Sequence, residues 1–269
     1  MPLPIPEPEE ALPITPSAEQ WLAMPRQARD RHIELVTAAM QREEAYLSEG
    51  RPHFRAKVGA VTTLGEHFER IGKQVTLACE LPVLYPGEAP FAPDLMAVLD
   101  VEDPGDEDTR MGWVVAEEGR GLDLVLEVHY SGNKEKDLIT NVARYARLGI
   151  PEYFVYDRWS QKLYGFRLQS GRYLSIPDRR GQLRSLVLGL NLGILDNRLR
   201  FFSDEALIPE TRELLARLDG LMDQRALRIA EMEQQIALET AAREAAERRF
   251  AEALAELSAL RAKLGEQES

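Results

Sequence analysis

Leu122-Asp123-Leu124-Val125-Leu126-Glu127-Val128-His129 decides how this chain is read. It is an almost unbroken apolar run, the pattern of a strand buried on both faces, and it carries a carboxylate near its end. A matching run, Pro93-Asp94-Leu95-Met96-Ala97-Val98-Leu99, stands about thirty residues earlier and opens on another carboxylate. Ionised carboxylates are left in such runs when they are paired or hold a metal, because desolvating the charge is expensive. Asp94 and Glu127 therefore need a partner, and Lys136 follows on the next helix. Two carboxylates and an amine can converge on one divalent ion. Hard oxygen ligands suit Mg²⁺ or Mn²⁺. Such an ion polarises a phosphoryl oxygen and lowers the pKa of a bound water, while an ammonium stabilises charge in the transition state. This is the minimum apparatus for metal-assisted phosphodiester hydrolysis. Asp123 shares the strand face of Glu127 but lies roughly 13 Å along it, which makes it a less suitable ligand for the same ion.

Working outward, the apolar positions of 18–48, among them Trp21, Ile33, Val36 and Met40, predict a helix broken near Pro25. Val58, Val61, Leu64 and Phe68 predict a second helix over 53–71, closed by Gly72. A strand is expected over Val75–Leu84, then the Asp94 strand, an exposed acidic segment over 101–109, and a short strand at Trp113-Val114-Val115. Ser131-Gly132-Asn133 leads from the Glu127 strand into a helix over 134–148, which Gly149 and Pro151 end. The strand Glu152–Tyr156 then completes a strand-helix-strand unit with parallel neighbours. Ser170-Gly171 marks a hairpin, a further strand is expected over 183–188, and the segment 192–202 completes the domain.

The chain has 269 residues, 44% of them hydrophobic, which allows one ordinary domain and an extension. Its single cysteine, Cys79, excludes an intrachain disulfide. With no apolar stretch near twenty residues and no basic start, neither a membrane span nor a secretory signal is expected, so a cytoplasmic location is. The net charge of -12 is unevenly spread: residues 1–133 carry 11 Lys+Arg against 24 Asp+Glu, whereas 134–200 carry 13 against 6. The basic stretch thus begins beside the candidate metal site.

Residues 1–17, rich in Pro and Glu, predict a flexible segment. From 209 to 269 the chain changes character. Leu215, Met222, Ile229, Ile236, Arg243, Phe250, Leu257 and Leu264 lie seven apart, with Leu218, Met232, Ala246, Ala253 and Leu260 three further on. That is a heptad seam, interrupted by Arg225, Glu239 and Arg243. A coiled coil joining copies into a homo-oligomer is expected, since so long a helix has little stability alone.

The two carboxylate runs, Lys136-Asp137-Leu138, and Tyr145-Ala146-Arg147-Leu148-Gly149-Ile150-Pro151-Glu152-Tyr153-Phe154-Val155-Tyr156-Asp157 together resemble the Uma-two-type endonucleases. These belong to the PD-(D/E)XK, restriction-endonuclease-like superfamily. The resemblance covers about residues 50 to 205. It implies an α/β fold with a mixed central sheet flanked by helices, over 18–205, and a Mg²⁺-dependent endonuclease with DNA as partner. Asp94 then matches the first metal ligand and Glu127 the second. The superfamily's lysine should stand two residues after that glutamate, where this chain has His129. A histidine can bind a metal or act as a base. Lys136 is the preferred replacement for the lysine, with Lys134 in reserve. The glutamate often supplied by the first core helix matches Glu66, with Glu80 a rival, and His53 and Lys57 lie one turn apart on that helix. Tyr145 is expected in the core. Two other functions stay open: a nuclease fold without catalysis that binds DNA or acts as a scaffold, and a coiled-coil assembly protein.

Overall fold

The structure, a computed structural model, describes residues 12–44, 50–101, 105, 108–129 and 134–267. It divides into two compact units at Glu210/Thr211. In the first unit, α1 (Ala18–Ala23), α2 (Arg26–Glu44) and α3 (Arg51–Arg70) precede β1 (Val75–Ala78), β2 (Val83–Leu84), β3 (Leu95–Leu99) and β4 (Trp113–Val114). After α4 (Val115–Glu118) come β5 (Leu124–His129), a π-helical turn (Lys136–Thr140), α5 (Asn141–Leu148) and β6 (Glu152–Asp157). The remaining strands are β7 (Lys162–Gln169), β8 (Arg172–Ser175), β9 (Asp178–Arg179), β10 (Gln182–Arg184), β11 (Asn191–Leu195), β12 (Arg198–Ser203) and β13 (Ala206–Leu207). The second unit is α6 (Thr211–Gln267), a helix of 57 residues whose side chains are largely exposed where described. No described helix is long and apolar enough to cross a membrane.

The central sheet runs β1-β3-β5-β6-β7-β8. It is mixed: β5 and β6 are parallel, joined through α5, and every other pair is antiparallel. Both carboxylate runs lie in interior strands, which is why they lack a polar face. One side of the sheet packs Ala97, Leu124, Leu126 and Phe154 against Leu64 and Phe68 of α3. The other packs Met96, Val98, Val125 and Val155 against Tyr145 and Ile150. Successive strand residues point to opposite faces, so both covers are apolar.

Two strand expectations are corrected, and the unassigned segment 192–202 takes a definite form. The strand over Val75–Leu84 breaks where Glu80 adopts φ 55, and Val83-Leu84 leave the central sheet to pair in parallel with Trp113-Val114. The segment 192–202 is a hairpin, turning at Asp196 and Asn197 with φ 53 and 57. The strand over 183–188 ends at Arg184, because buried Glu152 captures the chain beyond it. Its carboxylate accepts Ser185 Oγ at 2.5 Å, Leu186 N at 2.9 Å and Arg167 Nε at 2.8 Å. Amides bound this way are unavailable to a ladder. The five-stranded sheet β13-β12-β11-β10-β9 is thereby fastened to β6. Gly165 permits the close approach: a Cβ there would stand 2.9 Å from Phe154 Cε1 and 3.0 Å from Leu183 Cδ1.

Most of the expected flexible segment 1–17 lies outside the described residues, as do Leu47, Ser131-Gly132-Asn133 and much of 101–109. Within the described part, Thr15 is buried and exchanges backbone hydrogen bonds with Gly87 and Glu88 at 2.9 Å. This stretch is docked.

Glu152→Ala should lower the unfolding free energy by about 3 kcal/mol, because it leaves Arg167 and buried Ser185 without their acceptor. Guanidinium unfolding midpoints of the variant and the parent check this.

Candidate active site

The last ladder pair between β3 and β5 is Leu95 with Leu126. Beyond it, at the next register step, stand Asp94 and Glu127, and their carboxylates take over from the ladder. Asp94 N donates to Glu127 Oε2 at 3.2 Å, and Val128 N donates to Asp94 Oδ2 at 2.7 Å. Each acid is thus held by backbone at or beside the other. Pro93 contributes by having no N–H of its own to continue the pairing.

Helix α3 covers Asp94. His53 Nε2 lies 3.1 Å from Asp94 Oδ2, and Lys57 Nζ lies 3.9 Å from Oδ1. The two side chains are a helical turn apart and so share a face. Lys57 is buried and also pairs with Glu80. Burial raises the Asp94 pKa, but the hydrogen bond and charge of His53, the Val128 amide and the Lys57 charge outweigh it, so the carboxyl lies below its ordinary value. Glu127 behaves oppositely. Burial, then repulsion from Asp94 and Asp137, pushes its carboxyl well above the usual carboxylate range, against a smaller opposing effect of Lys136.

Tyr145 donates its hydroxyl to Glu127 Oε1 at 2.9 Å. Burial and the adjacent Glu127 charge raise its pKa strongly, which keeps the hydroxyl a donor. Its ring packs in the core, as expected, and its oxygen reaches the acid pair. The π-helical turn is held by Tyr153, whose hydroxyl donates to Asp137 O at 2.9 Å. Lys136 on that turn lines a cleft of about 250 Å³ with Glu127, Phe91, Arg144 and Tyr145. Arg144 lies 4.6 Å over the Phe91 ring and donates to Ala89 O. Two cations therefore flank the opening beside Glu127.

His129 is buried, with Nδ1 2.9 Å from Asp137 Oδ2, and it sits on an interior strand rather than at a sheet edge. Lys134 pairs with Asp157. Glu66 is nine residues beyond Lys57 on α3, about 13 Å along the axis. Glu80, by contrast, reaches the centre through Lys57. Among the described residues, no three His, Cys, Asp or Glu side chains form a ready metal set. Asp94 and Glu127 are the residues that could hold Mg²⁺, which keeps several waters and takes one or two carboxylates, in exchange for part of their hydrogen bonds.

A family model described as "Uma2: Putative restriction endonuclease" matches residues 18–196. The chain belongs to this family. The match contains Asp94, Glu127 and Lys136, so the family's nuclease assignment falls on the unit that carries the acid pair. No curated protein matches the chain. Among solved structures, one described as "a putative nuclease belonging to DUF820 from Anabaena variabilis ATCC 29413" is 12% identical, with a TM-score of 0.42 over 52% of this chain and 75% of that one.

Sequence reasoning missed Asp137 and the hydroxyl of Tyr145. The one available signal was position: Asp137 adjoins Lys136, and Tyr145 lies on the helix that follows it.

The Lys134–Asp157 pair yields a pH prediction. Burial raises the Asp157 pKa, but Lys134 and two hydrogen bonds from Ser160 outweigh it and bring it to about 2. Its value in the unfolded chain is about 3.9. The stabilisation is therefore complete above that pH and is lost as pH falls towards 2. Thermal melts should show wild-type stability dropping through this window more steeply than that of Asp157→Asn.

Proposed function

We propose that the Asp94–Glu127 centre hydrolyses phosphodiester bonds of DNA, as an endonuclease using Mg²⁺ or Mn²⁺. The observation that carries this reading is the mutual clasp of two carboxylates, at 3.2 and 2.7 Å, beside a cleft flanked by Lys136 and Arg144. Asp94 and Glu127 would hold the ion, which supplies Lewis acidity and an activated water when bound. The remaining residues orient and compensate. Tyr145 fixes the Glu127 carboxylate, while His53 and Lys57 fix Asp94. Lys136 places an ammonium where negative charge develops on the phosphoryl group, and Arg144 adds positive charge for a polyanion. A cytoplasmic location agrees with the single cysteine. Self-association through α6 agrees with its heptad seam, since Ile229, Met232 and Ile236 are each more than half exposed on the isolated helix.

A second reading, a nuclease fold that binds DNA without cutting it, is favoured by His129 at the position of the superfamily lysine.

Purified protein should cleave plasmid DNA with Mg²⁺ or Mn²⁺ and be silent with a chelator. Asp94→Ala and Glu127→Ala should each lose activity by about a hundredfold or more while keeping their folded circular dichroism. Folded wild-type protein that binds DNA without cutting it under any of these ions would select the second reading.

Lys136→Ala should reduce turnover far more than calorimetric Mg²⁺ affinity, because its charge acts on the transition state. His129→Ala should matter less. The reverse order would return the lysine role to His129.

A further inference from the structure

We propose that α6 pairs with α6 of a second copy in antiparallel orientation, centred near residue 241, so that Glu239 of one chain faces the partner's Arg243 and Arg243 faces the partner's Glu239. The inference rests on the self-association read above and fixes its geometry.

The argument comes from the residues that interrupt the seam. Glu239 and Arg243 occupy core positions of the heptads, four residues apart, with Arg225 two heptads before Glu239. In a parallel, in-register pair every seam residue meets its own copy. Arg225 would face arginine, Glu239 glutamate and Arg243 arginine, three layers of like charge brought together out of water, which is costly. Phe250 would also meet Phe250, while Ala246 and Ala253 met alanines, so bulky and empty layers would alternate.

The antiparallel pair removes these conflicts together. With the centre midway between residues 239 and 243, the two central layers each join a glutamate to an arginine. Moving outward, Ile236 faces the partner's Ala246, Met232 faces the partner's Phe250, and Ile229 faces the partner's Ala253. Large residues meet small ones where an isoleucine is present, as close packing between helices requires. Arg225 meets the partner's Leu257, where a long side chain can lay its stem along the leucine and carry its charge sideways out of the seam into water. Sliding the register by one heptad in either direction destroys the match: Glu239 would face isoleucine or phenylalanine, and Arg243 methionine or alanine.

The isolated helix leaves these groups available. Ile229, Met232, Ile236, Phe250 and Leu257 are 57–69% exposed. Arg243 pairs with Glu247 of its own helix at 3.0 Å, with side chains 82% and 65% exposed. Such an open intrahelical pair holds its partners weakly, and Arg243 can exchange it for the partner's Glu239. Charge complementarity and size complementarity therefore specify the same occupant, a second copy, in the same register.

The test uses full-length protein in a Cys79→Ala background, with Ile236→Cys and Ala246→Cys made separately. The two positions face each other across the antiparallel seam. Two copies of residue 236 would stand about 15 Å apart along the axis, beyond disulfide reach. Under mild oxidation each variant alone should remain uncrosslinked, and an equilibrated mixture of the two should give a covalent dimer on a non-reducing gel. As an independent measurement, Glu239→Arg should weaken self-association in sedimentation by about tenfold or more, and adding Arg243→Glu should restore it. Crosslinking of each variant alone, with no gain on mixing, would establish the parallel arrangement and overturn the proposal while leaving self-association standing. A full-length monomer in sedimentation, with no crosslink in any combination, would overturn the self-association as well.

Discussion

The candidate site is organised by two carboxylates standing where a β-ladder stops. Beyond the Leu95–Leu126 pair, Pro93 offers no amide, and the polar groups of β3 and β5 would be left without partners in an apolar interior. Asp94 and Glu127 fill that role, each accepting from the backbone at or beside the other. The same two groups are thus structural acceptors and the proposed chemical centre. Their different surroundings follow from this: α3 brings cationic partners to Asp94, while Glu127 faces Asp137 and a tyrosine hydroxyl.

The two faces of the central sheet share the work. Ala60, Leu64 and Phe68 of α3 lock onto one face, and this packing sets the helix phase that aims His53 and Lys57 at Asp94. On the other face, Tyr145 and Tyr153 are 4.9 Å apart in an edge contact, and each uses its oxygen on the site: one on Glu127, the other on the π-helical turn beside Lys136. Aromatic side chains suit this task because they present an apolar body and a polar tip. Core packing and site geometry cannot be varied independently.

How much could be read beforehand follows from the range of each interaction. The two buried strands, the helix between β5 and β6 and the hairpin at Ser170-Gly171 are written in local periodicity and turn residues, so they were legible. Asp94 and Glu127 stood out because a charge in an apolar run is expensive. The short β10 was illegible, since its end is dictated by Glu152, more than thirty residues away in sequence. The break in the strand after Ala78 likewise depends on Glu80 turning towards Lys57. For the remote groups of the centre, sequence supplied residue types without phase: Glu66 and Lys57 share one helix, and only the packing of α3 decides which of them reaches the acids. The contacts of Tyr145 and Asp137 join a helix to a strand and have no local signature.

The cationic cover over Asp94 has a consequence for the life of the chain before it meets any ligand. In small zinc domains the metal supplies the folding energy, and a newly made chain stays unfolded until the ion arrives. Here His53, Lys57 and the Val128 amide already compensate the acid from within. If the centre takes an ion as proposed, folding does not wait for it, so this domain can be synthesised, stored and diluted through swings in ion supply with its interior intact.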